Sequence, residues 1–259
     1  LPTDNPYLPD EYIDNLRSIK DKATRERLLS GNWEYDDDPS ALIEFEAILD
    51  LWENDHVKVN DRDKWITADI ALQGSDRLVL CVWYGGVLVD YVVRGKAVGK
   101  QIIADIQKLR KKHSIPPSRV IYDSDGVGGF IGGKNGFIPG ARAFVNGAAP
   151  IKVKMPSGEI KKENYENLKT QCYYSLADTV NNAEIWLKAL RNEKHREEVT
   201  EELEQVKSRD MEKDGKLKLI RKEEVKEVLG RSPDFADALM MREFINIMPR
   251  ATRRKTKSI

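Results

Sequence analysis

Leu78-Val79-Leu80-Cys81-Val82-Trp83-Tyr84-Gly85-Gly86-Val87-Leu88-Val89-Asp90-Tyr91-Val92-Val93 is the longest apolar run of the chain. Gly85, Gly86 and Asp90 interrupt it, so it is no membrane span, which needs about 20 consecutive apolar residues. It reads as two strands, 78–84 and 87–93, joined by a tight hairpin whose glycines supply positive φ values. Just upstream, Lys64-Trp65-Ile66-Thr67-Ala68-Asp69 is a further strand. Downstream, Val98, Ile102, Ile106 and Leu109 fall on one stripe of a helix predicted over 99–113. A short strand over 119–123 comes next, then a glycine-rich loop to Gly140 and a strand over 141–146. Helices are predicted over 163–181, 187–203, 222–229 and 233–247, with a hairpin over 206–220 turning at Asp214-Gly215. This order specifies an α/β fold with a mixed central sheet and helices on both faces.

Outside this body the chain changes character. Residues 1–63 hold 7 Lys/Arg and 17 Asp/Glu, whereas 64–259 hold 36 and 26, although the whole chain is neutral. A basic body behind an acidic leader points to a polyanionic partner. The leader reads as short helices separated by prolines, one capped by Asp10, one from Thr24 to a left-handed stop at Gly31, and one over 41–52. The expected division is a helical leader over 1–60, a body over 61–249 and a disordered basic tail over 250–259. The Leu1 start reads as a fragment of something longer. Two cysteines are too few for a disulfide framework, and three histidines build no zinc site unaided.

Chemistry is sought where local structure strands carboxylates. Asp69 closes the strand Trp65-Ile66-Thr67-Ala68, and Asp123 closes Val120-Ile121-Tyr122, with Asp125 two residues on. In Ser232-Pro233-Asp234-Phe235-Ala236-Asp237-Ala238-Leu239, Ser232 is the expected helix cap and Pro233 the first helical residue. Asp234 and Asp237 then share a helical face. Singly, such residues are ordinary turn formers and caps. Together they form an all-oxygen set of the kind that hard divalent cations require. Two such ions activate a water and stabilise the leaving oxygen of a phosphodiester. Gly128-Gly129-Phe130-Ile131-Gly132-Gly133-Lys134-Asn135 mimics a phosphate-binding loop but ends in Asn and starts too far past its strand. Asp123-Ser124-Asp125-Gly126 opens like a calcium loop and lacks the remaining ligands.

These residues resemble the C-terminal nuclease domain of the large terminase subunit of tailed bacteriophages. Ala68-Asp69-Ile70-Ala71 with Gly74-Ser75-Asp76 resembles its first motif, Val120-Ile121-Tyr122-Asp123 with Gly126-Val127-Gly128 the second, and 232–239 the third. Asn167-Leu168-Lys169-Thr170-Gln171 matches a stretch between the last two. Asn5-Pro6-Tyr7-Leu8-Pro9 and Arg27-Leu28-Leu29-Ser30-Gly31-Asn32-Trp33 resemble the segment that joins the packaging ATPase to the nuclease.

The resemblance implies a ribonuclease-H-like fold and cutting of concatemeric double-stranded DNA with two Mg²⁺ or Mn²⁺ ions. It assigns Asp69, Asp123 and Asp237 as catalytic metal ligands, with Asp234 as an auxiliary ligand. The hairpin around Asp214-Gly215, with Lys207, Arg209, Lys213, Lys216 and Lys218, is similar to one that touches DNA. Lys169 is expected on a phosphate. Implied partners are the ATPase domain, the small terminase subunit and the portal, in the host bacterial cytoplasm and transiently at the procapsid portal. No ATPase activity is expected of this chain. Other readings are a different ribonuclease-H-like nuclease, such as a junction resolvase, and a docking module without catalysis.

Overall fold

The computed structural model describes residues 2, 7–9, 12, 13, 16, 28, 29, 31, 38–70, 77–95, 98–125, 130–154, 160, 161, 164–209 and 215–248. The chain divides into two compact units, Leu1–Ala41 and Leu42–Ile259. In the first, the Pro9 carbonyl accepts from the Tyr12 and Ile13 amides at 3.0 and 3.4 Å, one turn of the helix expected after Asp10. Gly31 has φ +61°, the left-handed geometry expected of it. Most residues of the first two predicted leader helices, Asp214, Lys213, the glycines at 126–129 and the tail over 250–259 lie outside the described residues.

The second unit opens with a helix, α1 (Phe45–Asp50). Ile48 and Leu51 are wholly buried in its main core. The sheet follows with β1 (Lys64–Asp69), β2 (Leu78–Tyr84) and β3 (Val87–Arg94). Helix α2 (Gly99–His113) leads through a 3₁₀ turn to β4 (Val120–Asp123) and β5 (Arg142–Phe144). Spatial order is β3-β2-β1-β4-β5. The β1–β2 and β2–β3 pairs are antiparallel, and the β1–β4 and β4–β5 pairs are parallel. A small hairpin, β6 (Val153–Lys154) and β7 (Ile160–Lys161), has no counterpart in the sequence reading. Then come α3 (Leu168–Asn181), α4 (Glu193–Glu204), the hairpin β8 (Ser208–Arg209) and β9 (Lys218–Leu219), α5 (Lys222–Leu229) and α6 (Asp234–Ile247).

Strand alternation sorts the sheet into two faces. Ile66, Ala68, Leu80, Val82, Val120 and Tyr122 meet Ile102, Ile106 and Leu109 of α2 in one core. Val79, Cys81, Trp83 and Ile121 meet α1, α3, α4 and α6 in the other. Both faces are covered, which is why β2 is apolar along its whole length rather than alternating. The hairpin glycines divide their work. Gly85 has φ +66°, while at Gly86 a Cβ would stand 2.4 Å from the Glu184 carbonyl oxygen, so Gly86 is required by close approach and not by a positive φ. Among the described residues no helix is long and apolar enough to cross a membrane.

Candidate active site

Pairing of β1 with β4 runs Ile66↔Val120, Thr67↔Ile121, Ala68↔Tyr122. Asp69 and Asp123 are the next residues in that register, at the ends of parallel strands about 4.8 Å apart. Alternation turns both toward the face of Thr67 and Ile121, where α3 and α6 lie. Thr67 fixes α6 there: its hydroxyl donates to the Ala238 carbonyl at 2.8 Å and accepts from the Trp83 indole at 3.1 Å. Farther along α6, the Arg242 guanidinium donates to the Gly85 carbonyl at 3.3 and 3.2 Å. The first turns of α6 therefore cross the strand ends, and Asp237 comes alongside Asp69.

The resulting electrostatics are asymmetric. Burial pushes the Asp69 carboxyl well above the ordinary carboxylate range, and the negative charges of Asp237, Asp234 and Asp123 push the same way. Asp123 is also raised, chiefly by burial. Asp237 goes the other way. Burial alone would raise it, but Lys169 and Lys222 overcome that and hold it down at about 2. The Lys169 ammonium is 2.6 Å from Oδ1 and that of Lys222 is 3.3 Å from Oδ2, while the buried Tyr173 hydroxyl donates to Oδ1 at 2.7 Å. Because the folded-state value lies below the unfolded one, Asp237 contributes stability that is present above pH 4 and lost as pH falls toward 2. Urea unfolding is expected to show about 2 kcal/mol lost over that interval in the wild type, a pH-dependent loss that Asp237→Asn should lack. Equal acid sensitivity of the two proteins would disprove the assignment.

The start of α6 departs from the sequence expectation. The helix begins at Asp234, and Pro233, expected as its first residue, occupies the cap position, where it offers no side-chain cap. Glu202 of α4, wholly buried, reaches this helix end from outside, accepting the Ala236 amide at 2.8 Å. Its other oxygen receives the Arg231 guanidinium. Burial still pushes the Glu202 carboxyl up to about 8, against the pull of Arg231. Arg77 extends the framework: its main-chain amide and Nε donate to Asp234 Oδ2 at 3.2 and 3.3 Å, and a terminal nitrogen reaches Glu198 at 2.7 Å. Asp234 and Asp237 thus leave one helix toward different cations.

A cleft of about 820 Å³ opens onto this constellation, lined by Asp69, Asp123, Asp125 and Asp234 and by Lys169, Arg209, Arg221 and Lys222. Asp237 sits behind Lys169, Tyr173 and Lys222. Of the residues expected to meet DNA, Lys169 and Arg209 line the cleft. Lys207 and Lys216 are described but do not line it, and Lys213 lies outside the described residues. Lys169 stands against a carboxylate rather than free for phosphate. Tyr173, Lys222, Asn146 and Arg77 join the site without having been expected there. Two carry a signal in the sequence: Tyr173 is four residues after Lys169 on one helical face, and Lys222 is a cation in the first turn of α5, where the helix dipole disfavours it.

No protein-family model matches the sequence, and no curated protein matches it significantly. Solved structures do match. The nuclease domain of the large terminase subunit gp2 of bacterial virus Sf6 superposes with TM-score 0.63 at 22% identity, over 82% of this chain and all of that one (100%). A variant of the Sf6 domain with calcium gives 0.62 at 22% identity, over 78% of this chain and 98% of that one. Another, with manganese and beta-thujaplicinol, gives 0.61 at 20% identity, over 82% and 100%. The fold is that of a terminase nuclease domain. This ribonuclease-H-like frame puts a carboxylate at the ends of the two central parallel strands and a third on the helix above them. The donor set, all oxygen and mutually repelling, fits a hard divalent cation in composition and charge. Among the described residues, no three Asp, Glu, His or Cys side chains already stand grouped as a ligand cage. Asp237 in particular is turned to its two lysines.

Proposed function

We propose that this chain is a divalent-metal-dependent endodeoxyribonuclease, the nuclease domain of a phage DNA-packaging terminase that cuts concatemeric double-stranded DNA. The observation that carries the reading is the convergence of Asp69, Asp123 and Asp237 from two parallel strands and a buried helix, at a cleft edged with basic side chains. Buried carboxylates crowded in this way are costly unless cations neutralise them. The Sf6 neighbours, with their calcium and manganese, support the same reading.

In this reading Asp69, Asp123 and Asp237 hold Mg²⁺ or Mn²⁺, as two ions, and Asp234 lends support from its place beside Arg77. Bound metal supplies an activated water and charge stabilisation at the leaving oxygen. The chain's own residues do the remainder. Lys169 and Lys222 keep Asp237 ionised, and so in the state that would ligate a metal. Arg209 and Arg221 attract the DNA backbone at the cleft, and Lys207 and Lys216 extend that attraction along the β8–β9 side. Charge of this kind positions a duplex without reading its sequence. The ATPase domain, the small subunit and the portal are the partners that follow, in the host cytoplasm.

The test is nicking of supercoiled plasmid in Mn²⁺. Wild type is expected to nick, and Asp123→Ala and Asp237→Ala to lose at least about 10³-fold in rate, or about 4 kcal/mol. Nicking by all three at one rate would end the proposal. So would wild-type activity that survives EDTA.

A further inference from the structure

Asn146, just past β5, meets two acidic groups through its side chain. Its amide nitrogen lies 3.2 Å from each carboxylate oxygen of Asp123 and 2.8 Å from Asp125 Oδ2. The Asp125 main-chain amide donates in turn to Asp123 Oδ1 at 2.9 Å. Three carboxylate oxygens around one end of a carboxamide are satisfied only by its NH₂, so chemistry sets the orientation of this group.

The main chain of the same segment is equally well anchored. The Asn146 carbonyl accepts the Lys169 amide at 3.1 Å, and the Ala148 carbonyl accepts the Leu168 amide at 2.7 Å. Gln171 closes a two-point clamp on Ile151, accepting its amide at 2.7 Å and donating to its carbonyl at 2.8 Å. Asn167 caps α3, accepting the Thr170 amide at 2.8 Å. These bonds fasten the segment to the first turn of α3, and Lys169 on that turn holds Asp237. One residue therefore touches Asp123 by its side chain and the Lys169–Asp237 pair through its backbone.

We propose that Asn146 is a positioning residue of the carboxylate site. It holds Asp123 in the orientation that ligates a divalent cation and sets the spacing from Asp123 to Asp237. It also ties Asp125 into the frame as a supporting carboxylate rather than a ligand. The inference rests on the metal-dependent reading above, and it adds a residue that supplies no ligand atom. Loss of a partner that orients a ligating side chain costs metal affinity roughly 10–100-fold.

The experiment is Mn²⁺ titration of the full chain, followed by the paramagnetic resonance signal of free Mn²⁺, with circular dichroism as the check on folding. Asn146→Ala is expected to weaken Mn²⁺ binding roughly 10–100-fold. Asn146→Ser, whose hydroxyl is too short to span both carboxylates, is expected to match it. Asp125→Asn is expected to stay within about threefold of wild type, or about 0.7 kcal/mol. Wild-type affinity in folded Asn146→Ala or Asn146→Ser overturns the proposal. A loss in Asp125→Asn as large as in Asn146→Ala makes Asp125 a ligand and overturns its supporting role. If wild type binds no Mn²⁺, or Asp123→Ala binds it unchanged, the metal reading fails and this inference falls with it.

Discussion

Asp69→Asn is expected to abolish metal-dependent nicking while making the folded protein more stable. The two effects have one cause. Asp69 is buried at the end of β1 with three other carboxylates close enough to raise its pKa, so its charge is held at a cost to the fold. An amide of the same shape removes that cost, and the gain at pH 8 is expected to be on the order of 1 kcal/mol. The same change deletes a hard anionic oxygen that Mg²⁺ or Mn²⁺ requires, and activity should fall by at least about 10³-fold. Plasmid nicking and urea unfolding on one preparation read both. A variant that is inactive and less stable would mean that Asp69 is a structural partner, with its carboxylate satisfied inside the fold. A variant that keeps its activity would remove Asp69 from the site.

Glu202→Ala should produce the largest loss of stability. The carboxyl of Glu202 accepts a first-turn amide of α6, and truncation leaves the buried Ala236 amide without this acceptor. The unsatisfied buried amide and the loss of Arg231's carboxylate partner together cost about 3 kcal/mol, roughly 10 °C in melting temperature for a body of this size. Mn²⁺ binding should weaken with it, because α6 carries Asp234 and Asp237. Glu202→Gln keeps a carbonyl in the same place and suits a group whose own pKa is near 8, so it is expected within about 1 kcal/mol of wild type. If Gln proved as damaging as Ala, the charge opposite Arg231, and not the bond to the Ala236 amide, would be what holds the helix.

Much of the site is legible in the sequence because its residues sit at element ends, where local rules are strong. Asp69 and Asp123 each follow a short apolar strand, and a carboxylate at that position stands out from the chain alone. Helix α2 is legible as well: its apolar stripe at 102, 106 and 109 and its basic last turn at 110–113 are local signals that the fold merely honours. The acceptor at the start of α6 is not, for the opposite reason. Ser232-Pro233 is a good local start signal, but it gives no sign that a buried carboxylate on α4 accepts the Ala236 amide. Lys169 is expected on phosphate because an exposed basic residue on a helix invites that reading. Only the packing of α3 beside α6 shows that Asp237 lies 2.6 Å away.

From the order of residues alone come the hairpin, the short strand that ends in a second aspartate, and the set of acidic side chains of the kind that a hard cation takes. These depend on periodicity, turn chemistry and charge, which act over a few neighbouring positions. The tertiary structure alone decides which cations face Asp237, that Asn146 binds Asp123 and Asp125 together, and that α4 supplies an acceptor to the helix carrying the third carboxylate. Those pairings join residues up to 68 positions apart in the chain, such as Lys169 and Asp237. Their energies come from burial, which exists only after the sheet and helices have closed over one another.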